Sequence, residues 1–215
     1  MGMRCDASRN RLTPEDWKRR KEAALGRLRE HFDEGRVDPD IFSLLDALNS
    51  LPFAYTTSSC SGRIQLYEAE LPGEKFSLRS LGKWHSSVDE EEILSAMRGE
   101  NVWLALLPPI IHIRTCSLRA SLAMLRILRE SGFKRAGILH LSRAGGFIEA
   151  MGTERLEMPL RLRGRELLDP EAIKLIVDAA NSMLLRAKER IHRLEVRLRH
   201  EASRGLDNLC GERAT

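Results

Sequence analysis

Two apolar runs that follow one another almost directly constrain the fold of this chain most. Residues 102–107 are all apolar, residues 110–113 are apolar except for His112, and only Pro108 and Pro109 separate the two runs, the second of which continues to Thr115. Such runs are typical of strands that are buried on both faces. A chain of 215 residues is long enough to bury one good core. We therefore predict that both runs are central strands of a sheet within a single domain over residues 1–215.

A helical hairpin is predicted for residues 1–50. Thr13 and Pro14 are followed by acidic residues, the order typical of a helix N-terminus, and apolar residues then recur at helical spacing up to Gly35. A second start signal at Asp38 leads into another apolar face.

Residues 51–165 have a different sequence pattern, in which short β-rich runs alternate with turn residues. This pattern predicts a mixed sheet core. A long helix with an apolar stripe is predicted over residues 169–200. Residues 205–215 show no periodicity, which is typical of a disordered tail. Because the chain lacks a glycine-rich strand-to-helix turn, we predict an α+β fold with a mixed β-sheet flanked by helices and no Rossmann fold. The predicted strands are 53–57, 63–67, 76–85, 102–107, 110–115, 136–141 and 147–151, with a further extended segment at 154–162. The predicted shorter helices are 89–98 and one that Thr115 or Ser117 caps and Gly132 stops.

Composition favours a polyanionic partner without requiring one. The net charge is +4, and 28 of the 35 basic residues are arginine, whose planar guanidinium suits phosphate and stacks on bases. Arginine enrichment also arises from genomic base composition, so this cue alone leaves both explanations open.

The polar N-terminus and the absence of a long apolar stretch predict a cytoplasmic protein without a membrane span. The four cysteines are scattered and form no CxxC pair, so four thiols are expected.

The segment from Thr57 to Gly62 is predicted to be a small polar loop after a strand. Its hydroxyls and backbone N–H groups can surround a carboxylate or phosphate, and Arg63 adds a positive charge. The alternative is a serine-rich turn whose hydroxyls satisfy only local backbone groups. Cys60 is either a nucleophile or a buried structural residue, since sequence does not show the neighbours that would lower its pKa.

Two further clusters combine charged and ring side chains. Lys83, Trp84 and His85 together suit a nucleobase and its phosphate, although a tryptophan in the core beside solvated Lys and His is the alternative. His112 and Arg114 alternate along one strand and should therefore emerge on the same face.

Carboxylate and guanidinium groups recur later in the chain. Glu154 and Arg155 follow a predicted hairpin, where they form either a functional pair or a surface salt bridge. The last predicted helix carries a row of arginines that either follows an RNA backbone or belongs to an ion-paired solvated face. The row consists of Arg186, Arg190, Arg193 and Arg197.

The order of these segments resembles one family, the wybutosine-synthesising methyltransferases of archaea and eukaryotes. The run from Thr57 to Ile64 is similar to the most distinctive motif of that family, and Gly82 to His85 is similar to its Lys-Trp motif in the archaeal form. The strand from Pro109 to Thr115 and the run from Thr153 to Leu160 are similar to two later motifs, with Gly152 in place of a serine before the last one. The likeness covers most of the chain, from about Pro39 to Leu198.

The resemblance implies an enzyme that is not a Rossmann-type methyltransferase. It implies transfer of a methyl group from S-adenosylmethionine to N4 of a 4-demethylwyosine-type tricyclic base at position 37, in the anticodon region of tRNA(Phe). On this hypothesis the donor is held by Thr57, Ser58, Ser59, Ser61 and Arg63. The catalytic residues are His112, His85 and Glu154, and the RNA is contacted by Lys83, Trp84, Arg114, Arg155, Arg190 and Arg197. No metal site is expected.

Three other functions fit parts of the sequence. A non-catalytic tRNA-binding module would explain the arginine row and would bind tRNA without the methyl donor. A methyltransferase with a different acceptor would keep the donor site, because fold and donor site do not determine the acceptor. A cysteine-dependent enzyme would use Cys60.

Overall fold

The computed structural model describes residues 13–73, 78–142, 145–203 and 209–210, and the chain has the predicted α+β composition. The helices are α1 (Pro14–Asp33), α2 (Phe42–Ser50), α3 (Glu90–Ala96), α4 (Leu118–Glu130) and α5 (Pro170–Ala202), with a 3-10 turn at Pro39–Ile41. The strands are β1 (Ala54–Cys60), β2 (Arg63–Glu68), β3 (Arg79–Trp84), β4 (Val102–Leu107), β5 (Ile110–Thr115), β6 (Arg135–Ser142), β7 (Gly145–Met151), β8 (Leu156–Leu162) and β9 (Arg165–Glu166). No helix among the described residues is both long and apolar enough to cross a membrane.

The strands form two antiparallel sheets rather than the one mixed sheet that we predicted. The order in the first sheet is β1-β5-β7-β6, and the order in the second is β3-β2-β4-β8-β9. Among the described residues, every strand pair is antiparallel. The two apolar runs belong to different sheets, and the chain between them consists of Pro108 and Pro109, which lack the backbone N–H that a ladder needs.

The chain divides into two compact units. The first comprises residues 1–60, 110–151 and 192–215, and the second comprises residues 61–109 and 152–191. The single methyltransferase domain over residues 1–215 stays a prediction. Of the predicted tail 205–215, only Leu209 and Cys210 lie within the described residues.

Helices α2 and α4 pack on one face of the sheet of the first unit, whereas the opposite face, which we call the open face, is covered by α1 at Tyr55 of β1. Ile111 and Ile113 of β5 are fully buried, whereas His112 and Arg114, which point to the other side, are half-buried. Burial on both faces was therefore a wrong prediction for β5, because helices α2 and α4 pack against this sheet from the buried side. The shared face of His112 and Arg114 is confirmed by the register.

Helix α1 is attached to the segment that follows α2. The hydroxyl of Thr13 caps its N-terminus by accepting a hydrogen bond from the Asp16 N–H, as the sequence predicted. The Trp17 indole donates to the Pro52 carbonyl at 2.8 Å, and the Lys21 ammonium donates to the Leu51 carbonyl. Burial lowers the pKa of Lys21 to about 8.

The second unit has its core between one face of its sheet and two helices. Ile64 and Leu66 of β2 and Leu104 and Leu106 of β4 pack with side chains from α3 and from the part of α5 that belongs to this unit. The opposite face of β4 contributes Ala105 to a smaller cluster. Burial on both faces is thus confirmed for the middle of β4, at Leu104 and Ala105.

A disulfide joins Cys116 to Cys210, so the expectation of thiols was wrong for these two residues. They are 94 positions apart in the sequence, and only the fold places them together at the start of α4. The Ser117 hydroxyl, which caps α4, also donates to the Leu209 carbonyl at 2.6 Å. Cys60 remains a thiol and is half-buried.

Candidate active site

Strand β1 extends through residues that we predicted to form a loop. Ser58 to Cys60 continue the strand, and only Ser61 and Gly62 lie between β1 and β2. The register against β5 shifts between Thr56 and Ser59, so β1 carries one extra residue there. Bulges of this kind re-aim side chains. As a result, Thr57 and Ser58 are exposed while Thr56 stays buried.

The start of the bulge is anchored by Asn49 of α2. The Thr56 N–H donates to Oδ1 of Asn49 at 2.9 Å, and Nδ2 of Asn49 donates to the Thr56 hydroxyl at 3.0 Å. Because both partners are buried, these hydrogen bonds hold the backbone from which Thr57 and Ser58 project.

His112 is held between Ser58 and Glu149 on the open face of the first sheet. Its Nδ1 lies 2.7 Å from the Ser58 hydroxyl, and its Nε2 lies 2.9 Å from Oε2 of Glu149. His112 and Glu149 are direct cross-strand partners on β5 and β7. An ionised carboxylate can only accept, so Nε2 carries a proton. In the neutral imidazole, Nδ1 then accepts the hydrogen bond that Ser58 donates.

Arg114 and Phe147 lie beside this group on the same face. The Arg114 guanidinium carbon stands 4.3 Å from the centre of the Phe147 ring, and the ring centres of His112 and Phe147 are 5.2 Å apart. A cation above an aromatic face is attracted by the ring's quadrupole. Phe147 therefore positions both side chains.

A cleft of about 260 Å³ is formed by residues of α1, the α1–α2 connection, α2 and β1, and we call it the β1 cleft. Thr57, Ser58 and Ser59 contribute to its lining, as do basic side chains. The Ser59 hydroxyl is buried and has no hydrogen-bond partner among the described residues. A buried polar group without a partner calls for an explanation, and a polar ligand in the cleft would be one. The basic residues that line the cleft are Arg27, His31 and Arg36, of which Arg36 pairs with Glu34.

In the second unit, Ser61 is the centre of another polar group. The Lys188 ammonium donates to the Ser61 hydroxyl at 2.8 Å and to the Gly62 carbonyl at 3.3 Å. Nδ1 of His85 lies 3.4 Å from the same hydroxyl.

The turn between β1 and β2 contains Gly62. Its φ is 82°, and a Cβ there would lie 3.0 Å from the Leu107 carbonyl oxygen. The turn therefore requires glycine.

The Lys-Trp motif is divided between the two faces of the second sheet. Lys83 is exposed opposite Gln65, which accepts a hydrogen bond from Nε of Arg63 at 3.3 Å. Trp84 is half-buried on the other face, where it packs against the core. Its indole lies over Gly82, where a Cβ would approach a ring carbon to 2.1 Å. Packing of the tryptophan on the core is thus observed, and a stacking role stays a prediction.

Glu154 forms a largely buried ion pair with Arg190. The guanidinium lies 2.5 Å from Oε1 of Glu154, and the two side chains are only 10–12% exposed. Arg190 also donates to the Thr153 hydroxyl at 3.1 Å. The residue before Thr153 is Gly152. A Cβ at this position would lie only 2.8 Å from Cδ of Pro109. Lack of space therefore explains why this position has no serine.

Arg155 is exposed and pairs with Glu157 at 3.0 Å. The buried Tyr67 donates from its hydroxyl to the same carboxylate at 2.8 Å. Burial raises the pKa of Tyr67, and the hydrogen bond to Glu157 raises it further. Tyr67 is thus a neutral donor that positions Glu157.

Arg197 is part of an ion-paired face on α5. Its guanidinium lies 2.6 Å from a Glu130 oxygen and 3.0 Å from a Glu201 oxygen. For this member of the arginine row, the structure favours the ion-paired alternative. Contact of Arg197 with RNA stays a prediction.

The predicted site residues fall into two sets, one in each unit. The first unit holds Thr57, Ser58, Ser59, His112, Arg114 and Arg197, and the second holds Ser61, Arg63, Lys83, Trp84, His85, Glu154, Arg155 and Arg190. Sequence reasoning missed Glu149 and Lys188. Glu149 could have been found from the alternation of β7 against β5. Lys188 had no local signal.

A family model described as Methyltransferase TYW3 matches residues 19–200 of this chain. The chain belongs to this family. The methyltransferase resembles a protein of Archaeoglobus fulgidus, with 37% identity over 83% of this chain and 91% of that relative. A relative from Pyrococcus furiosus is 36% identical over 84% of this chain and 94% of its own length. Both relatives are named as tRNA(Phe) 7-((3-amino-3-carboxypropyl)-4-demethylwyosine(37)-N(4))-methyltransferases.

A solved structure from Pyrococcus horikoshii has the same fold. Its TM-score to the methyltransferase is 0.81 with 34% sequence identity, and the match covers 86% of this chain and 97% of that one. The resemblance that the motifs suggested is therefore confirmed at the level of the family and of a fold outside the Rossmann class.

Proposed function

We propose that this methyltransferase transfers a methyl group from S-adenosylmethionine to N4 of the 4-demethylwyosine-type base at position 37 of tRNA(Phe). The names of the relatives support this acceptor. The observation that carries the proposal is the Ser58–His112–Glu149 hydrogen-bond chain, which lies on an open sheet face and shares Ser58 with the β1 cleft. The proposal includes a cytoplasmic enzyme whose RNA partner is the anticodon region of tRNA(Phe).

The β1 cleft fits the amino-acid end of the donor. The unpartnered Ser59 hydroxyl and the hydroxyls of Thr57 and Ser58 can bind a carboxylate, and Arg27 supplies a positive charge. When bound, the donor supplies an electrophilic methyl group on a sulfonium sulfur. The chain has to align the attacking nitrogen and remove its proton, and alignment is the larger part of the task.

His112 provides the route for this proton. Its Nδ1 accepts the Ser58 hydroxyl proton while the Ser58 oxygen takes the proton of the attacking nitrogen. Glu149 stabilises the imidazolium that results because its carboxylate lies 2.9 Å from Nε2. Glu149 is accordingly a positioning residue, and His112 is the proton acceptor. For the second unit, we propose that Ser61, Arg63, His85, Glu154 and Arg155 bind the donor or the base and that Lys83, Trp84 and Arg190 contact RNA.

The deciding experiment measures whether a labelled methyl group passes from S-adenosylmethionine to the tricyclic base of the tRNA. The purified protein is incubated with methyl-labelled S-adenosylmethionine and tRNA(Phe) from cells blocked at the preceding step of wybutosine assembly. After digestion, the label is expected in the tricyclic nucleoside, and mature tRNA is the control that should receive none. Donor binding without transfer would support a methyltransferase with a different acceptor. Absence of donor binding would support a tRNA-binding module.

A further inference from the structure

A second cleft of about 310 Å³ opens in the first unit. Its lining includes three basic side chains from three different elements, Arg20 of α1, Arg114 of β5 and His140 of β6. Among the described residues, the lining contains no carboxylate. We call this site the Arg20 cleft.

The floor of the Arg20 cleft is held in place by buried aromatic rings. The rings of Trp17 and Tyr55 are packed with their centres 5.0 Å apart, and both residues are less than a tenth exposed. Tyr55 is the cross-strand partner of Arg114. Phe147 is the cross-strand partner of both Arg114 and His140, so the two basic side chains project from neighbouring positions of one rigid sheet.

The three basic groups are not neutralised by acidic neighbours. Within the described residues, the side chains of Arg20, Arg114 and His140 form no ion pair and no hydrogen bond, and Arg114 contacts only the Phe147 ring through its charge. Arg19, the neighbour of Arg20 on the same helix, is by contrast paired with Asp16 at 2.6 Å. The cleft therefore concentrates positive charge that no part of its own lining compensates.

We propose that the Arg20 cleft binds a backbone phosphodiester of the RNA substrate. A guanidinium fork matches the geometry of two phosphate oxygens, and arginines that converge from two elements can grip such a group. Arg114 and His112 are two residues apart on β5, which is about 7 Å along a strand. The cleft thus anchors the RNA backbone next to the proton acceptor, on the same sheet face. This inference rests on the proposed function for the identity of the RNA.

Binding of a synthetic RNA hairpin with the sequence of the tRNA(Phe) anticodon arm tests the proposal. The full-length protein is compared with Arg20→Ala and His140→Ala, because both side chains are exposed and their removal should leave the fold intact. Arg29→Ala is the matched control. Arg29 is an exposed arginine nine positions further along α1 and therefore on the opposite side of the helix.

Each cleft variant should weaken RNA binding about three- to tenfold, and Arg20→Ala should reduce the salt dependence by about one phosphate contact. Arg29→Ala should bind like the native protein. Equal losses in Arg20→Ala and Arg29→Ala would overturn the proposal, because they would indicate only general electrostatics. Weaker binding of S-adenosylmethionine with unchanged RNA affinity would overturn it in favour of a donor site. Binding is measured without chemistry, so a failure of methyl transfer by the native protein is a separate result that concerns the proposed function alone.

Discussion

The imidazole of His112 has both ring nitrogens engaged by side chains, and this decides which nitrogen can accept a proton. The Glu149 carboxylate occupies Nε2, which leaves Nδ1 to the Ser58 hydroxyl. A histidine held by a hydroxyl on one side and a carboxylate on the other suits the proton transfer that we propose.

Replacing His112 by alanine should lower methyl transfer by at least about a hundredfold, because general-base assistance is lost. Donor binding should persist, since His112 does not line the β1 cleft. Single-turnover transfer of labelled methyl groups measures the effect. His200→Ala, which removes an exposed histidine of α5, is the control. Native-like transfer by a folded His112→Ala protein would exclude this residue as the proton acceptor.

Cys60 distinguishes direct transfer from cysteine chemistry. It is a half-buried thiol on β1 next to Ser59. Because nitrogen attacks the methyl group directly in the proposed reaction, Cys60→Ala should transfer methyl groups at the native rate. The same labelled-donor assay measures this. Complete loss of transfer in the variant, together with inactivation of the native protein by iodoacetamide at neutral pH, would support the cysteine-dependent enzyme instead.

At the scale of elements, β1 shows why a polar strand end was mistaken for a loop. Serines and threonines favour turns through local hydrogen bonds, so the run from Ser58 to Gly62 predicted a turn. The ladder to β5 continues to Cys60 because the bulge absorbs one extra residue and restores the register. Pairing with a neighbouring strand outweighs local preference, and a single sequence does not reveal that neighbour.

The last turns of α5 are tied to α2 by Glu195. The Ser43 hydroxyl donates to the Glu195 carboxylate at 2.6 Å, and Nε of Arg199 donates to it at 3.1 Å. Burial alone would raise the pKa of Glu195, but the hydrogen bonds from Ser43 and Arg199 outweigh it and hold the pKa below the ordinary value of 4.5. The native state therefore favours the ionised form more than the unfolded state does.

Glu195→Gln should lower the free energy of unfolding near neutral pH by about 1 kcal/mol. Since the native pKa lies below the unfolded one, the stabilisation is complete above the unfolded value and is lost as the pH falls through the native value. The difference between variant and native protein should thus shrink in acid. Urea unfolding at neutral pH and below pH 4.5 measures it, with Glu189→Gln, an exposed α5 position, as the control. A difference that stays constant with pH would contradict this account.

At the scale of the whole molecule, a disulfide joins two distant parts of the first unit. Cys116 precedes α4, and Cys210 follows α5. A bridge between residues 94 positions apart closes a long loop and so restricts the unfolded chain strongly. Cys210 is thereby held to the start of α4.

Cys210→Ser should lower the free energy of unfolding by about 2–4 kcal/mol. A reducing agent should bring the native protein to the same stability and should leave the variant unchanged. Thermal and urea unfolding with and without reductant measure both effects, and Cys60→Ser is the control for loss of a thiol. Identical stability of native and variant proteins under oxidising conditions would show that the bridge does not contribute.

The sequence by itself determined the positions of the helices and most strands, because caps, prolines and apolar periodicity act over a few residues. It also determined the family, through motifs that lie in order along the chain, and the shared face of His112 and Arg114, through strand alternation. The tertiary structure alone decided that β4 and β5 belong to different sheets, that Glu149 meets His112, that Lys188 reaches Ser61 and that Cys116 meets Cys210. Each of these depends on which distant segments pair, and pairing is a property of the packed chain rather than of any local pattern.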